Sequence, residues 1–325
     1  MFIAKNIIAK IFAFFVVSKI KKSYSYAGQI QTKTLKKLLK KAKKTKFGVE
    51  HGFDKISSFE EYSKNVPVRD YEEFKKYIDQ IKKGYNDILW PGKPKYLAKT
   101  SGTTSGIKYI PITKESMPNH ITSSRNALLF YIYETGDTSF LDGKTIFLQG
   151  SPVLQDINGI LLGRLSGIVA HHIPSYLKNN NLPSIQTNSI DDWEEKIDEI
   201  CKETINQNMT TIGGIPSWVQ MYFEKILTKS KKKNIIEVFK GFSLYVYGGV
   251  NFSPYKKNFD KLIGKKINTI EYYPASEGFF AYQNSQKDKG LLLQYSSGIF
   301  YEFIKTDEFK SGKYIRYNLQ TIETG

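Results

Sequence analysis

Thr210-Thr211-Ile212-Gly213-Gly214-Ile215-Pro216 is the stretch from which the architecture can be read. Three strand-favouring residues run into a pair of glycines, and a proline then opens a helical pattern that continues to Thr228. β-Branched side chains suit a buried, pleated strand and glycine lets the backbone reverse sharply. Proline is tolerated in a first helical turn, where its missing N–H has no partner to lose. Thr145-Ile146-Phe147-Leu148 and Leu244-Tyr245-Val246-Tyr247 follow the same grammar, each ending in a glycine-containing loop, and residues 190–206 form a further helical stretch. This alternation predicts an α/β domain with a largely parallel sheet flanked by helices.

Upstream the pattern is helical. Leu35, Leu38, Leu39 and Ala42 recur at helical spacing opposite Lys36, Lys37, Lys40, Lys41, Lys43 and Lys44, and Phe47-Gly48 should end that helix. Ser57-Ser58 precede an acidic helix start at Phe59-Glu60-Glu61-Tyr62, and residues 71–83 read as another helix. Trp90-Pro91-Gly92-Lys93-Pro94 forms a turn-rich joint. The expected organisation is an N-terminal apolar or amphipathic helix (1–28), a helical region of the same large domain (29–94) and an α/β core (95–325). Residues 298–303 and 312–317 read as paired strands, and the chain stops at the turn Glu323-Thr324-Gly325, as though cut short.

The chain has 325 residues, 40% of them hydrophobic, so a packed core is expected and wholesale disorder is not. Its formal charge of +17 raises nucleic acid as a partner. The basic residues are nearly all lysine, however, and the arginines Arg69, Arg125, Arg164 and Arg316 are scattered. Bidentate readers of bases and phosphates favour arginine. The lysine excess therefore reads as a solvated surface that steers anionic substrates, and no nucleic acid is expected. Cys201 is the one cysteine, which suits a reducing cytoplasm, and its spacing with Trp193, Ile197 and Ile200 reads as a buried helical face. Residues 2–20 are mostly apolar, but Lys5, Lys10 and Lys19 interrupt them, and a spanning helix needs about twenty apolar residues. A helix packed on the body of the protein is the expectation, with weak contact to a membrane surface as the alternative.

Three segments carry candidate chemistry. In Lys99-Thr100-Ser101-Gly102-Thr103-Thr104-Ser105-Gly106-Ile107-Lys108, hydroxyls alternate with glycines. Such a loop can bring backbone N–H groups and hydroxyls around phosphate oxygens. It is neither a Walker A loop nor a dinucleotide fingerprint, because three residues separate Gly102 from Gly106 and Tyr109 follows Lys108. An ordinary Ser/Gly surface loop would look the same. Tyr272-Tyr273-Pro274-Ala275-Ser276-Glu277-Gly278 follows a strand-like run at residues 267–270; a tyrosine there can face a purine while the carboxylate four residues on meets magnesium. The third, Tyr247-Gly248-Gly249-Val250-Asn251, reads on its own as a tight strand-to-helix turn. His171-His172 is the one adjacent histidine pair; neighbours on a strand face opposite sides, so it is a poor metal site, and one of the two could face a substrate pocket. No zinc spacing, nucleophile elbow or catalytic triad is evident.

Taken together, these segments resemble the auxin-responsive promoter family of acyl-acid amido synthetases, within the adenylate-forming superfamily of luciferases and acyl-CoA synthetases. Thr100 to Gly106 is similar to its phosphate loop, and Tyr273-Pro274-Ala275-Ser276-Glu277 to its Tyr-x-x-Ser-Glu motif. Val66-Pro67-Val68-Arg69-Asp70-Tyr71, Leu89-Trp90-Pro91-Gly92, Tyr109-Ile110-Pro111 and Gly214-Ile215-Pro216-Ser217-Trp218 match in the same order, so the resemblance runs from about Gln29 onward.

The resemblance implies the adenylate-forming large-domain fold, with stacked sheets flanked by helices. It also implies ATP- and Mg-dependent activation of a small carboxylic acid to acyl-AMP, followed by transfer to an amine, an amino acid in the plant branch. Ser101, Gly102, Thr103, Thr104, Ser105 and Gly106 would hold phosphates; Gly248, Gly249 and Tyr273 would frame adenine; Ser276 would lie near the α-phosphate; Glu277 would bind magnesium. Gly213, Gly214, Pro216 and Trp218, with His172, would lie along the acyl pocket. Lys108 corresponds to a loop lysine in a loop that looks one residue shorter than in plant members. In the family, a Leu-Tyr-Arg-Tyr-x-x-Gly-Asp segment, whose aspartate grips the ribose, and a small domain with a catalytic lysine follow the point where this chain stops. The chain alone is therefore expected to lack full activity. Thioester formation as in acyl-CoA synthetases, or a non-catalytic member of the fold, are the alternatives.

Overall fold

The computed structural model describes residues 2–100, 106–173 and 178–323. The chain falls into two compact units. One comprises Met1–Ser18, His120–Leu154 and Gly163–Leu293; the other comprises Lys19–Asn119, Gln155–Leu162 and Gln294–Gly325.

The second unit carries a four-stranded sheet built from β1 (Tyr96–Thr100), β2 (Lys108–Ile112), β4 (Gln155–Ile157) and β5 (Ile160–Gly163), in the order β2-β1-β5-β4. β1 and β2 are antiparallel, and their pairing runs from Tyr96 with Ile112 to Thr100 with Lys108. Its helices start where the local chemistry says they should. Ser58 caps Phe59–Asn65 by accepting from the Glu61 N–H, and Asp70 and Glu73 form a reciprocal capping box at the head of Tyr71–Lys82. Phe47, Tyr77, Ile78, Ile81, Leu97 and Ile160 make the core beneath them.

Phe47-Gly48 does not end the lysine-rich helix. That helix, Ala27–Ala42, stops earlier, and Thr45 caps a new short helix, Lys46–Glu50, by accepting from the Gly48 N–H at 3.0 Å. The two helices meet so tightly there that a Cβ on Gly48 would lie 2.0 Å from the Ala42 carbonyl oxygen. Gly48→Ala is accordingly expected to cost about 2 kcal/mol, read as a lower midpoint in urea unfolding; a midpoint equal to wild type would show that the corner yields freely.

The first unit carries a seven-stranded sheet. Its strands are β3 (Lys144–Leu148), β6 (Asn181–Leu182), β7 (Met209–Gly214), β8 (Leu244–Gly248), β9 (Asn268–Ala275), β10 (Gly278–Tyr282) and β11 (Leu292–Leu293), in the order β11-β10-β9-β8-β7-β3-β6. Pairing is parallel from β6 to β9 and antiparallel from β9 to β11, so the sheet is mixed. All six residues of β7 are buried, as expected of a central parallel strand covered on both faces. The helices Trp193–Thr204, Pro216–Ser230 and Ser253–Ile263 contribute Ile197, Tyr222, Phe223, Ile226 and Phe259 to a core against Ile146, Ile212 and Tyr245. The helix Met117–Thr135 packs on the sheet through Phe130 against Tyr282 and through the Tyr272 hydroxyl, which donates to the Ser124 carbonyl at 3.0 Å. Cys201 is fully buried in this core, and desolvation pushes its thiol up to about 12, so it carries no thiolate chemistry.

Two further elements differ from the sequence reading. Residues 298–303 and 312–317 meet in a single bridge, Phe303 with Tyr317. The helix Thr306–Ser311, acidic in its first turn and ended by a left-handed Gly312, occupies the chain between them. And β9 does not stop before the Tyr-Pro-Ala-Ser-Glu motif; it runs through Tyr273 and Pro274 to Ala275. Pro274 is accommodated by a register shift in the pairing with β10, where proline's missing N–H is tolerated.

Candidate functional site

The site lies within the first unit, where strands of one sheet end side by side. Leu148 of β3 pairs with Gly214, Gly213 pairs with Val246, and Gly248 at the end of β8 pairs with Tyr272. Ligands of parallel α/β sheets bind beyond the carboxyl ends of their strands, and β7 and β8 end in glycine. A Cβ on Gly248 would stand 2.5 Å from the Tyr272 carbonyl oxygen, and Gly249 has φ +85°, a conformation that favours glycine.

From Tyr272 the polypeptide enters the motif. The Tyr273 ring is 55% exposed and meets Phe280 edge-on at 5.6 Å. Ala275 pairs with Gly278, so Ser276 and Glu277 form a two-residue turn between β9 and β10, with the Glu277 carboxylate exposed at its tip. An exposed aromatic face, a glycine pair and a free-standing carboxylate on adjoining strand ends fit a purine nucleotide carrying magnesium. Among the described residues no three His, Cys, Asp or Glu side chains gather into a metal cluster. Magnesium delivered with phosphates needs only one or two protein carboxylates.

Beside the motif opens a cavity of about 460 Å³. Phe147, Leu165, Val169, Leu182 and Ile185 give it apolar walls, and Tyr272, Pro274 and Phe279 close the side shared with the motif. Its size and lining suit one small ligand with an apolar body. Of the adjacent histidines, His171 lines it and His172 does not. The pair sits at the end of the helix Leu165–Ala170 instead of on a strand, and the His171 Nε2 donates to the Pro152 carbonyl at 2.8 Å. Gly213, Gly214, Pro216 and Trp218, expected along a substrate pocket, are not among the residues lining this cavity. The Gly213 backbone lies so close to Phe147 that a Cβ would come within 2.6 Å of its ring, and Trp218 stacks on Trp193 at 4.8 Å. Gly213 thereby sets how far Phe147 reaches into the cavity.

Sequence reasoning missed His120. It is 4% exposed on the helix Met117–Thr135, it lines the cavity, and its Nδ1 has no hydrogen-bond partner among the described residues. Desolvation drives the imidazole down from 6.5 to about 4, so it is neutral at pH 7. The unfolded chain takes up this proton near pH 6.5 and the folded protein only near pH 4. Stability contributed by His120 is therefore complete above pH 6.5 and falls as pH drops through that window, by roughly 1.4 kcal/mol per unit at most. Urea unfolding of wild type and His120→Gln at pH 7 and pH 5 should show the smaller acid loss in the variant; parallel losses would contradict a buried neutral imidazole.

Ser101, Gly102, Thr103, Thr104 and Ser105 lie outside the described residues. Gly106, at the edge of that loop, has φ +79°, and Lys108 begins β2 with its ammonium 5.4 Å from the Tyr71 ring centre.

The profile of the GH3 family N-terminal domain matches residues 16–188, just over half of the chain. The chain belongs to the GH3 family. An indole-3-acetic acid-amido synthetase, GH3.15 of Arabidopsis thaliana, is 32% identical over 168 residues, covering 50% of this chain and 25% of that protein. A jasmonoyl-L-amino acid synthetase, JAR4 of Nicotiana attenuata, is 24% identical over 140 residues, 42% of this chain and 24% of its own length. Among solved structures, the GH3.15 acyl acid amido synthetase in complex with 2,4-DB superposes with a TM-score of 0.75 over 95% of this chain and 63% of that one, at 15% identity. The expected α/β fold is therefore one this chain shares with that solved GH3 structure. The chain spans less than two thirds of the solved GH3 structure, and the matched stretches about a quarter of the curated relatives.

Proposed function

We propose that this GH3 protein takes part in the ATP- and Mg-dependent activation of a small carboxylic acid to its acyl-AMP, followed by transfer of the acyl group to an amine, an amino acid in the reading favoured here. The observation that supports it is the shared wall: Tyr272 and Pro274 line the apolar cavity, and the same strand leads within three residues to Ser276 and Glu277. An acid seated in the cavity would thus present its carboxylate toward the turn.

In this reading Tyr273 stacks on adenine beside Gly248 and Gly249, and Ser276 donates to the α-phosphate. Glu277 would hold magnesium, which when bound would neutralise phosphate charge. Ser101, Gly102, Thr103, Thr104, Ser105 and Gly106 supply hydroxyl and N–H donors to the outer phosphates. The carboxylate oxygen attacks the α-phosphorus, the P–O bond to pyrophosphate breaks, and pyrophosphate carries away the electron pair. No protein nucleophile is needed; the residues act by in-line positioning and by donors aimed at developing charge.

The test is pyrophosphate exchange into ATP by the full-length protein across a panel of carboxylic acids. Exchange that depends on one class of acid supports the reading, and exchange with none sinks it. Product analysis with amino acids and with coenzyme A then separates amide from thioester. Gly213→Val should push Phe147 into the cavity and raise KM for the acid about tenfold, with little change in KM for ATP. Equal effects on both substrates would remove Gly213 from that role.

A further inference from the structure

The helix Phe2–Lys22 contains no acidic residue and carries Lys5, Lys10, Lys19, Lys21 and Lys22. One face is packed: Ala13 and Val17 are fully buried and the Asn6 amide donates to Asp142 at 3.2 Å; at its borders Phe14 meets Tyr133 at 6.3 Å and Lys5 donates to the Leu141 carbonyl. The opposite face is open. Ile7, Ile8, Ile11, Phe12, Phe14 and Phe15 are between 45% and 67% exposed. Successive helical residues turn by about 100°, so these six share one contiguous arc somewhat under half the circumference. On the same wheel Lys5 falls at one edge of that arc and Lys10 at the other, and Lys19 and Lys22 lie on it a turn further along.

The sequence predicts a helix packed on the body, and the inner half is. A packed amphipathic helix would turn polar residues outward; this one is apolar on both faces. Scattered exposed apolar residues are ordinary on a protein surface, whereas six on one helical face make a patch that marks an interaction site. Among the described residues no helix is long and apolar enough to cross a membrane.

We propose that this arc is a docking surface for an anionic lipid bilayer, with Ile8, Ile11 and Phe15 entering the headgroup–acyl boundary and the lysines meeting lipid phosphates. The charge argues for that occupant. The helix has five cations and no anion, and lysine stems can lie along an apolar face while their ammonium groups stay in water. An apolar helical face rimmed by lysine is what an interfacial helix presents to acidic lipid. The placement goes beyond acyl activation and is independent of it.

The experiment is co-sedimentation of the full chain with vesicles of phosphatidylcholine alone and of phosphatidylcholine with phosphatidylglycerol. The comparison variant, Ile8→Glu/Phe15→Glu, changes two exposed positions, and its thermal melt reports whether the fold is kept. Wild type is expected to bind the anionic vesicles, to bind neutral ones roughly tenfold more weakly, and to be released by high salt. The double variant should lose binding at least tenfold with an unchanged melt. Absence of wild-type binding, or equal binding by the variant, overturns the proposal. So does a dimer in sedimentation velocity that the variant abolishes without any vesicle binding, because that seats a second copy on this face.

Discussion

Glu277→Gln is expected to lower acid-dependent pyrophosphate exchange by roughly a hundredfold or more, with no loss of fold. The substitution keeps the size of the side chain and removes its charge. Glu277 sits exposed at the tip of the two-residue turn between β9 and β10, so the fold does not depend on that charge. Magnesium delivered with ATP would rely on few protein ligands, and an amide oxygen is a much poorer one than a carboxylate. The effect should therefore appear as a loss of the magnesium-dependent part of ATP affinity, with metal-free ATP binding unchanged. Tyr273→Ala should weaken ATP with and without magnesium alike, because stacking on adenine does not involve the metal. If Glu277→Gln exchanges pyrophosphate at the wild-type rate, the carboxylate has no part in activation and the assignment of the motif fails.

Parts of this site are legible from residues alone because they are local. The acidic helix start at Phe59-Glu60-Glu61-Tyr62 lies within four consecutive residues, and the glycine pairs at Gly213-Gly214 and Gly248-Gly249 announce the ends of β7 and β8. What is not legible comes from packing at a distance. The cavity draws its walls from β3, the Leu165–Ala170 helix, residues 182–185 and β9, segments far apart in the chain whose meeting no local pattern announces. His120 carries no motif, and only its burial against that cavity makes it conspicuous. Thr45 misleads for a related reason: its hydroxyl captures the Gly48 N–H and starts a second helix where Phe47-Gly48 reads as a stop. The extension of β9 through Pro274 depends on a shifted register with β10, which no propensity encodes.

Arg316→Met is expected to produce the largest stability loss, about 3–5 kcal/mol. Arg316 is 8% exposed and Glu302 22% exposed, and the guanidinium donates through both Nε, at 2.9 Å, and one terminal nitrogen, at 2.6 Å, to the two carboxylate oxygens. Its other terminal nitrogen donates to the Ser63 carbonyl at 2.8 Å and to the Val66 carbonyl, and the cation lies 5.4 Å from the Tyr62 ring centre. One side chain thus ties the C-terminal end of the helix Phe59–Asn65 to the bridge at Phe303 and Tyr317. Methionine fills similar volume but leaves a half-buried carboxylate and two carbonyls without their donor, and the desolvation of those groups, more than the lost attraction, sets the cost. Arg316→Lys should lose less, since it keeps the charge but cannot form the two-pronged contact. Adding Glu302→Leu to Arg316→Met should recover part of the loss by removing the stranded charge. Urea unfolding gives the totals, and hydrogen exchange should localise faster opening to residues 59–66 and 303–317. A double variant less stable than Arg316→Met alone would show that the carboxylate has found another partner, and that the pair is not the tie described.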